Sequence, residues 1–159
     1  MANYIDQEEE QPRKIIRSLR SDTFSLVTFI NRTQRPVRLF WIDFKGQRVQ
    51  YAILRGSEPF PVTTYVTHPW VCRDAQTGDR LSTDKQDVYF PEAWDGGPSK
   101  LVNIDVPVYT LRERCLQIIR DIHKDALKDQ LQHMEIPEVL KLDLLKKENI
   151  PYKIRVQVV

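Results

Sequence analysis

Two periods divide the chain. As far as Pro107 the apolar residues alternate or gather in short β-branched and aromatic runs: Phe24 to Ile30, Val37 to Phe44, Val49 to Leu54, Val62 to His68, Val88 to Phe90 and Leu101 to Val106. Turn-forming groups separate these runs, among them Asn31-Arg32-Thr33, Lys45-Gly46-Gln47, Arg55-Gly56-Ser57, Gly78-Asp79 and Asp95-Gly96-Gly97-Pro98. Several short strands at this spacing predict an antiparallel β-sandwich rather than alternating βα units. The expected fold is α+β, with an antiparallel β-sandwich domain over 22–107 followed by a small three-helix domain over 108–148. Residues 1–21, rich in Gln and Glu, read as a disordered lead-in. The tail 149–159 alternates like a strand over 152–158 and is expected to return to the sheet. No internal repeat is present.

After Pro107 the period becomes helical. Thr110-Leu111-Arg112-Glu113 is a capping box, whose hydroxyl and carboxylate can satisfy backbone donors at a helix start. Leu111, Cys115, Ile118, Ile119 and Ile122 then fall on one stripe, with Leu116 off it. A shorter helix is expected over Lys124 to Gln132. A third starts at Ile136-Pro137, where proline suits the first turn, and runs to about Lys147. It carries two ridges, Ile136, Leu140 and Leu144 on one side and Val139, Leu142 and Leu145 on another. So small a helical unit buries little surface by itself. Its leucines either complete a core with the β-domain or wait for another protein.

Composition narrows the function classes. At 159 residues, with 41% hydrophobic and 29% charged residues, the chain holds one ordinary domain with an appendage. Basic and acidic residues interleave to a net charge of +2, which favours neither nucleic acid nor an anionic membrane as partner. The two cysteines, Cys72 and Cys115, lie in segments of different character, which speaks for a reducing compartment. The N-terminal residues lack the basic start and apolar stretch of a secretory signal, so a cytosolic and nuclear location is expected and the Asn31-Arg32-Thr33 sequon stays unmodified.

Catalytic chemistry is not indicated. His68 and Cys72 are spaced H-x₃-C, but Cys115, His123 and His133 are dispersed and complete no zinc quartet. Cys115, on an apolar stripe, is expected to be a buried and inert thiol. No glycine-rich phosphate loop occurs, and no cofactor is called for.

The segment Thr110-Leu111-Arg112-Glu113-Arg114-Cys115-Leu116-Gln117-Ile118-Ile119 resembles the elongin-binding box of adaptor subunits of cullin ubiquitin ligases. Ile136-Pro137-Glu138-Val139-Leu140 with Leu144 is similar to the box that selects the cullin. Pro107-Val108-Tyr109-Thr110-Leu111 through Arg120 resembles one family in particular, the von Hippel–Lindau tumour suppressor. The likeness extends upstream through Phe29-Ile30-Asn31-Arg32, Trp41-Ile42-Asp43-Phe44, Gly46, Tyr51, Tyr65 to His68, Trp70 and Arg73-Asp74-Ala75. It covers residues 24–123 well and the rest weakly.

The resemblance implies a non-catalytic substrate-recognition subunit of a cullin–RING ubiquitin ligase in oxygen sensing. Its β-domain would hold a prolyl-hydroxylated peptide of hypoxia-inducible factor α at Trp41, Tyr51, Thr64, Tyr65, His68 and Trp70. Elongin C, with elongin B, would bind at Leu111, Arg114, Cys115, Ile118 and Ile119. A cullin with its RING subunit would bind at Ile136, Pro137, Leu140 and Leu144. The residues agree in chemistry: four aromatic rings can wall a pyrrolidine, and Thr64, His68 and Trp70, of one parity in a strand, would face one side. Thr64 and His68 could then both meet one hydroxyl. Several positions depart from the family. Thr64 stands in place of serine, Pro69 in place of an aliphatic residue, and Cys72 in place of an aromatic one, while the tail after Lys147 has no counterpart. Pro69 cannot donate a ladder bond and is expected at an edge or strand end. A different class, a stand-alone peptide-binding or cytoskeletal scaffold, would have no use for an exposed Leu111 and Cys115.

Overall fold

The computed structural model describes residues 15–145. Seven strands come first: β1 (Phe24–Asn31), β2 (Val37–Ile42), β3 (Arg48–Leu54), β4 (Pro59–Tyr65), β5 (Trp70–Asp74), β6 (Arg80–Thr83) and β7 (Lys100–Asp105). Three α-helices follow, α1 (Leu111–His123), α2 (Leu127–Leu131) and α3 (Glu138–Leu145), with a single 3₁₀ turn, Lys124–Ala126, leading into α2. The expected tail strand lies outside the described residues, as does the end of the third helix at Lys147.

The strands run in the order β3-β2-β5-β6-β7-β1-β4. Neighbours are antiparallel except β1 and β7, which pair in parallel, so the sheet is mixed where an all-antiparallel one was expected. The whole run from residue 32 to 99 separates these two strands, ample for the crossover that a parallel pair needs. The sheet folds over on itself. Phe29 of β1 and Trp70 of β5 are separated in strand order by β7 and β6, yet their rings lie 5.4 Å apart. Between the two halves sits one core of Val27, Phe29, Val37, Leu39, Leu54, Trp70, Cys72, Leu81, Tyr89, Val102 and Ile104. Each large side chain so buried is worth about 1.5–3 kcal/mol.

Two strands escape the hydrophobic pattern. β5, Trp-Val-Cys-Arg-Asp, is buried along its whole length. Its outer face is covered by a second cluster of Ile42, Val71 and Val88 with Ile16 and Phe40, so no polar alternation marks it. Asp74 is held inside by Arg35, at 3.1 Å, and accepts the amides of Gln76 and Thr77 in the turn that follows. β6 spans only four residues. The run Val88 to Phe90, in contrast, forms no strand: Tyr89 bridges Trp70 by two backbone bonds of 2.9 Å and no further ladder develops.

Asn31 ends β1 and is fully buried. Its amide donates to the carbonyls of Arg35 and Leu54, and its oxygen accepts from the backbone and hydroxyl of Thr33. The sequon is therefore a structural turn whose asparagine is closed to glycosylation in the fold.

The capping box forms as its sequence implies. Thr110 N donates to Glu113 Oε2 at 2.7 Å, and Glu113 N to Thr110 Oγ1 at 3.2 Å. The same Glu113 carboxylate receives Arg80 of β6 through Nε at 2.5 Å and Nη2 at 3.0 Å. Arg80 also bonds Asp87 at 2.8 Å, and its carbonyl accepts the Tyr109 hydroxyl. Arg120 Nη1 stands 3.7 Å from Asp79 Oδ1, and its Nε donates to the Leu144 carbonyl. The helical unit is thus joined to the sheet through two arginines, around its own small core of Leu116, Leu127, Leu131 and Leu144.

Candidate functional site

Trp41 and Trp70 are register partners on β2 and β5 and share a face. On the other side of β2 the ladder slips: Leu39 opposes Ala52 while Phe40 opposes Gln50, which leaves Tyr51 as the extra residue on β3. Such a bulge re-aims a side chain. The Tyr51 ring sits 4.9 Å from Trp70 and 6.3 Å from Trp41, and remains half exposed at 50%. His68 stacks on Trp41 at 5.1 Å and 29°, with Tyr65 at 5.0 Å. Thr64, buried near the end of β4, accepts the Trp70 indole N–H at 3.0 Å. The six residues named from sequence are therefore contiguous in space.

They do not converge in the way the strand parity implied. β4 stops at Tyr65, and His68 lies in the turn to β5, its amide bonded to the Tyr65 carbonyl at 2.9 Å. Pro69 offers no donor and sits just before β5, the strand end expected of it; its carbonyl accepts from Ile42 N. The turn, not a shared strand face, carries the imidazole to Trp41. Trp70 is also more interior than a pocket wall would be, at 1% exposure, so it serves the core and the site together.

Phe44 and the segment 15–21 join the site without having been named for it from sequence. Phe44 projects from the β2–β3 turn and meets both Trp41, at 5.8 Å, and His68, at 5.5 Å. That turn is fixed by Asp43, whose carboxylate accepts the amides of Lys45 and Gln47, and by Gly46 at φ +78°. Residues 15–21, assigned from composition to the lead-in, instead form a strap along the site. Ser18 is buried at 1%; its amide donates to the Asp43 carbonyl, its hydroxyl donates to the Ile42 carbonyl and accepts the Trp41 indole N–H at 2.8 Å. Ser21 Oγ lies 3.1 Å from His68 Nε2, and Arg20 and Thr67 exchange two bonds of 2.9 and 2.8 Å. The strap sits so close that a Cβ on Gly46 would come within 3.0 Å of Ile15 Cγ2. A strap of this kind forms no regular element, so only side-chain partners reveal it.

Burial lowers the His68 pKa, opposed by a hydrogen bond to the Arg20 backbone, so the imidazole is neutral at physiological pH. Cys72 is fully buried, and desolvation drives its thiol pKa far up, so it is inert.

On α1 the sequence stripe turns outward. Leu111 is 81% exposed, and Ile118, Ile122, Arg114 and Cys115 are exposed with it. The expectation of a buried Cys115 thiol is thereby overturned. Leu116, off that stripe, is the residue that anchors the helix, and Ile119 packs beside it. The reason is the cap: Glu113 and Arg120 lie on the Leu116 side and are held by Arg80 and Asp79, which fixes which face points inward. The second set divides. Leu144 is fully buried and Ile136 packs on the same cluster, whereas Pro137 is exposed and Leu140 half-buried. The solvent-facing apolar ridge of α3 is Val139, Leu142 and Leu145.

A family model described as the VHL beta domain matches residues 16–97, just over half of the chain, and its span includes the strap from residue 16. The chain is similar to the protein named Protein Vhl of Drosophila melanogaster, with 28% identity over an alignment of 159 residues that covers 91% of this chain and 89% of that protein.

Proposed function

The chain belongs to the VHL family, and on that premise we propose that it is the non-catalytic substrate-recognition subunit of a cullin–RING ubiquitin ligase, acting in the cytosol and nucleus on prolyl-hydroxylated peptides such as that of hypoxia-inducible factor α. The observation that carries the peptide reading is the juxtaposition of two buried polar side chains, Thr64 and His68, with the rings of Trp41, Tyr51, Tyr65 and Phe44. Flat rings suit the apolar edges of a pyrrolidine, and a hydroxyl on that ring would satisfy groups that are otherwise shielded from water.

The assembly reading rests on the outward stripe of α1. A chain with Leu111, Cys115, Ile118 and Ile122 at its surface gains by covering them, and a helix laid into an apolar groove does so. Elongin C, with elongin B, is the proposed occupant, and a cullin with its RING subunit is proposed against α3. A stand-alone scaffold has no such use for this face.

An unmodified proline offers nothing to the Thr64 hydroxyl hydrogen, left over while its oxygen accepts from Trp70, or to the His68 ring nitrogen that Ser21 does not face, at about 1–3 kcal/mol apiece. The expected preference for hydroxyproline is therefore about 30-fold to above 10⁴-fold. Titration of the full chain with two peptides that differ only in that hydroxyl measures it. Equal affinities would refute hydroxyproline recognition.

A further inference from the structure

We propose that the segment 152–158 pairs antiparallel with the free edge of β3 as an eighth strand, closing the open side of the sheet and keeping a second copy of the chain from pairing there. This pairing does not depend on the peptide reading.

Among the described residues the strand order leaves two edges, β3 and β4. They are not alike. β4 starts Pro59-Phe60-Pro61, so two of the donors that another strand would need are missing from its first three residues. β3, Arg-Val-Gln-Tyr-Ala-Ile-Leu, has no proline, and Val49, Tyr51 and Ile53 stand 38%, 50% and 54% exposed along it. The bulge at Tyr51 interrupts its ladder with β2 at one point only. An edge of this length and character is a template for another strand unless something covers it.

The topology brings the chain's own C-terminal segment to this edge. Leu54 pairs with Val37, and Val37 with Asp74, so the end of β3 lies two strands from the end of β5. Asp74 N donates to the Asp79 carbonyl, Arg120 Nη1 stands 3.7 Å from Asp79 Oδ1, and Arg120 Nε donates to the Leu144 carbonyl at 3.0 Å. One arginine thus ties α3 to the β5–β6 turn, and β3 lies two strand spacings, about 10 Å, beyond that turn. The linker 146–151 can span about 20 Å. A segment arriving this way meets Leu54 first and runs back toward Arg48, which is the antiparallel sense, and 152–158 matches the seven residues of β3 in length. The same end of the sheet holds the β4 prolines, since Asn31 Nδ2 donates to the Leu54 carbonyl and the adjacent Ile30 pairs with Pro59. The segment would meet β4 where its donors are missing.

The sequence fits the place. Tyr152, Ile154, Val156 and Val158 alternate with Lys153, Arg155 and Gln157. Ala52 of β3 and Phe60 and Val62 of β4 lie partly buried at the margin of the core. The apolar set would cover that margin, with Lys153 and Arg155 outward on the new edge, where charge discourages further pairing. So short a linker also holds the segment at about millimolar effective concentration, which a second copy does not reach in dilute solution.

Hydrogen exchange of the full chain, read by mass spectrometry, with sedimentation for its mass, tests the pairing. The wild type is expected to be a monomer whose β3 amides exchange slowly. Ile154→Pro with Val156→Pro should speed that exchange about 10-fold or more, since several hydrogen bonds are lost together, and leave β1 and β7 unchanged. A double-proline variant that turns from monomer to dimer also upholds the proposal, because the uncovered edge has then found another. Equal β3 exchange in two monomeric proteins overturns it. So does a dimeric wild type whose β3 protection the prolines leave unchanged, which assigns the edge to a second copy.

Discussion

The β-domain and the helical unit treat their apolar residues in opposite ways. The sheet closes over a core of eleven buried residues, drawn from six of its seven strands and the Tyr89 bridge, and of its exposed aromatics Phe44 and Tyr51 meet at Trp41. The helical unit buries four, while Leu111, Ile118, Ile122, Val139, Leu142 and Leu145 face solvent. One region is organised to be complete by itself, and the other is organised to be completed. That difference separates a substitution that unfolds the chain from one that only disconnects it.

The largest effect is expected at the centre of the sheet. Phe29 touches both Trp70 and Tyr89 and is wholly buried, so Phe29→Ala should cost about 3–5 kcal/mol, seen as a large drop in the denaturation midpoint. Leu111→Ala, at a position 81% exposed, should change the stability of the isolated chain by no more than about 0.5 kcal/mol while costing elongin binding about 2–4 kcal/mol. The comparison breaks if Leu111→Ala destabilises the isolated chain as Phe29→Ala does, because the stripe would then be core.

The third helix sharpens the same contrast. Leu144 is part of the inner cluster, so a cullin that reads the solvent side must meet Val139 and Leu142. Val139→Asp with Leu142→Asp should leave helical content unchanged by circular dichroism and elongin binding intact, while weakening cullin capture by about 2–4 kcal/mol. Leu144→Asp should unfold the helical unit and lose both partners together. Undiminished cullin capture by the double variant would place that contact elsewhere.

Much of this was legible in the residues, and the misses share a cause. Apolar runs gave β1, β2, β3 and β7, whose residues Val27, Phe29, Val37, Leu39, Leu54, Val102 and Ile104 line the core. β5 was missed because both of its faces are covered, and β6 because four residues carry no period. The candidate site's members were named through the likeness to a known family and lie together, but a common strand parity does not account for His68, which sits in the turn after β4. The bulge at Tyr51, the Pro69 turn and the strap bring them together, and each depends on pairings that sequence does not display. On α1 the strongest apolar stripe was the exposed one. Periodicity finds an apolar face, but ion pairs at Glu113 and Arg120 decide which way that face points.

The joint between the two regions supplies the smallest effect and a test by acid. The Arg80 guanidinium holds the Glu113 carboxyl down to about 2, against burial and with help from the Thr110 amide and hydroxyl; the ordinary value is 4.5. A carboxylate depressed in the folded state stabilises that state fully above its ordinary pKa. The contribution is lost as pH falls from about 4.5 to about 2. The side chain is partly open to solvent, so screening leaves about 1–2 kcal/mol of the stabilisation that the shift represents. Glu113→Gln should therefore be less stable than the wild type by about that amount at pH 7, and the gap should close toward pH 2. Urea midpoints for the two proteins at pH 7, 4 and 2 measure the gap directly. Because Glu113 is both the helix cap and the partner of Arg80, helical signal should be lost before tryptophan fluorescence as acid is added. A gap that stays constant down to pH 2 would show that Arg80 and Glu113 do not couple the helical unit to the sheet.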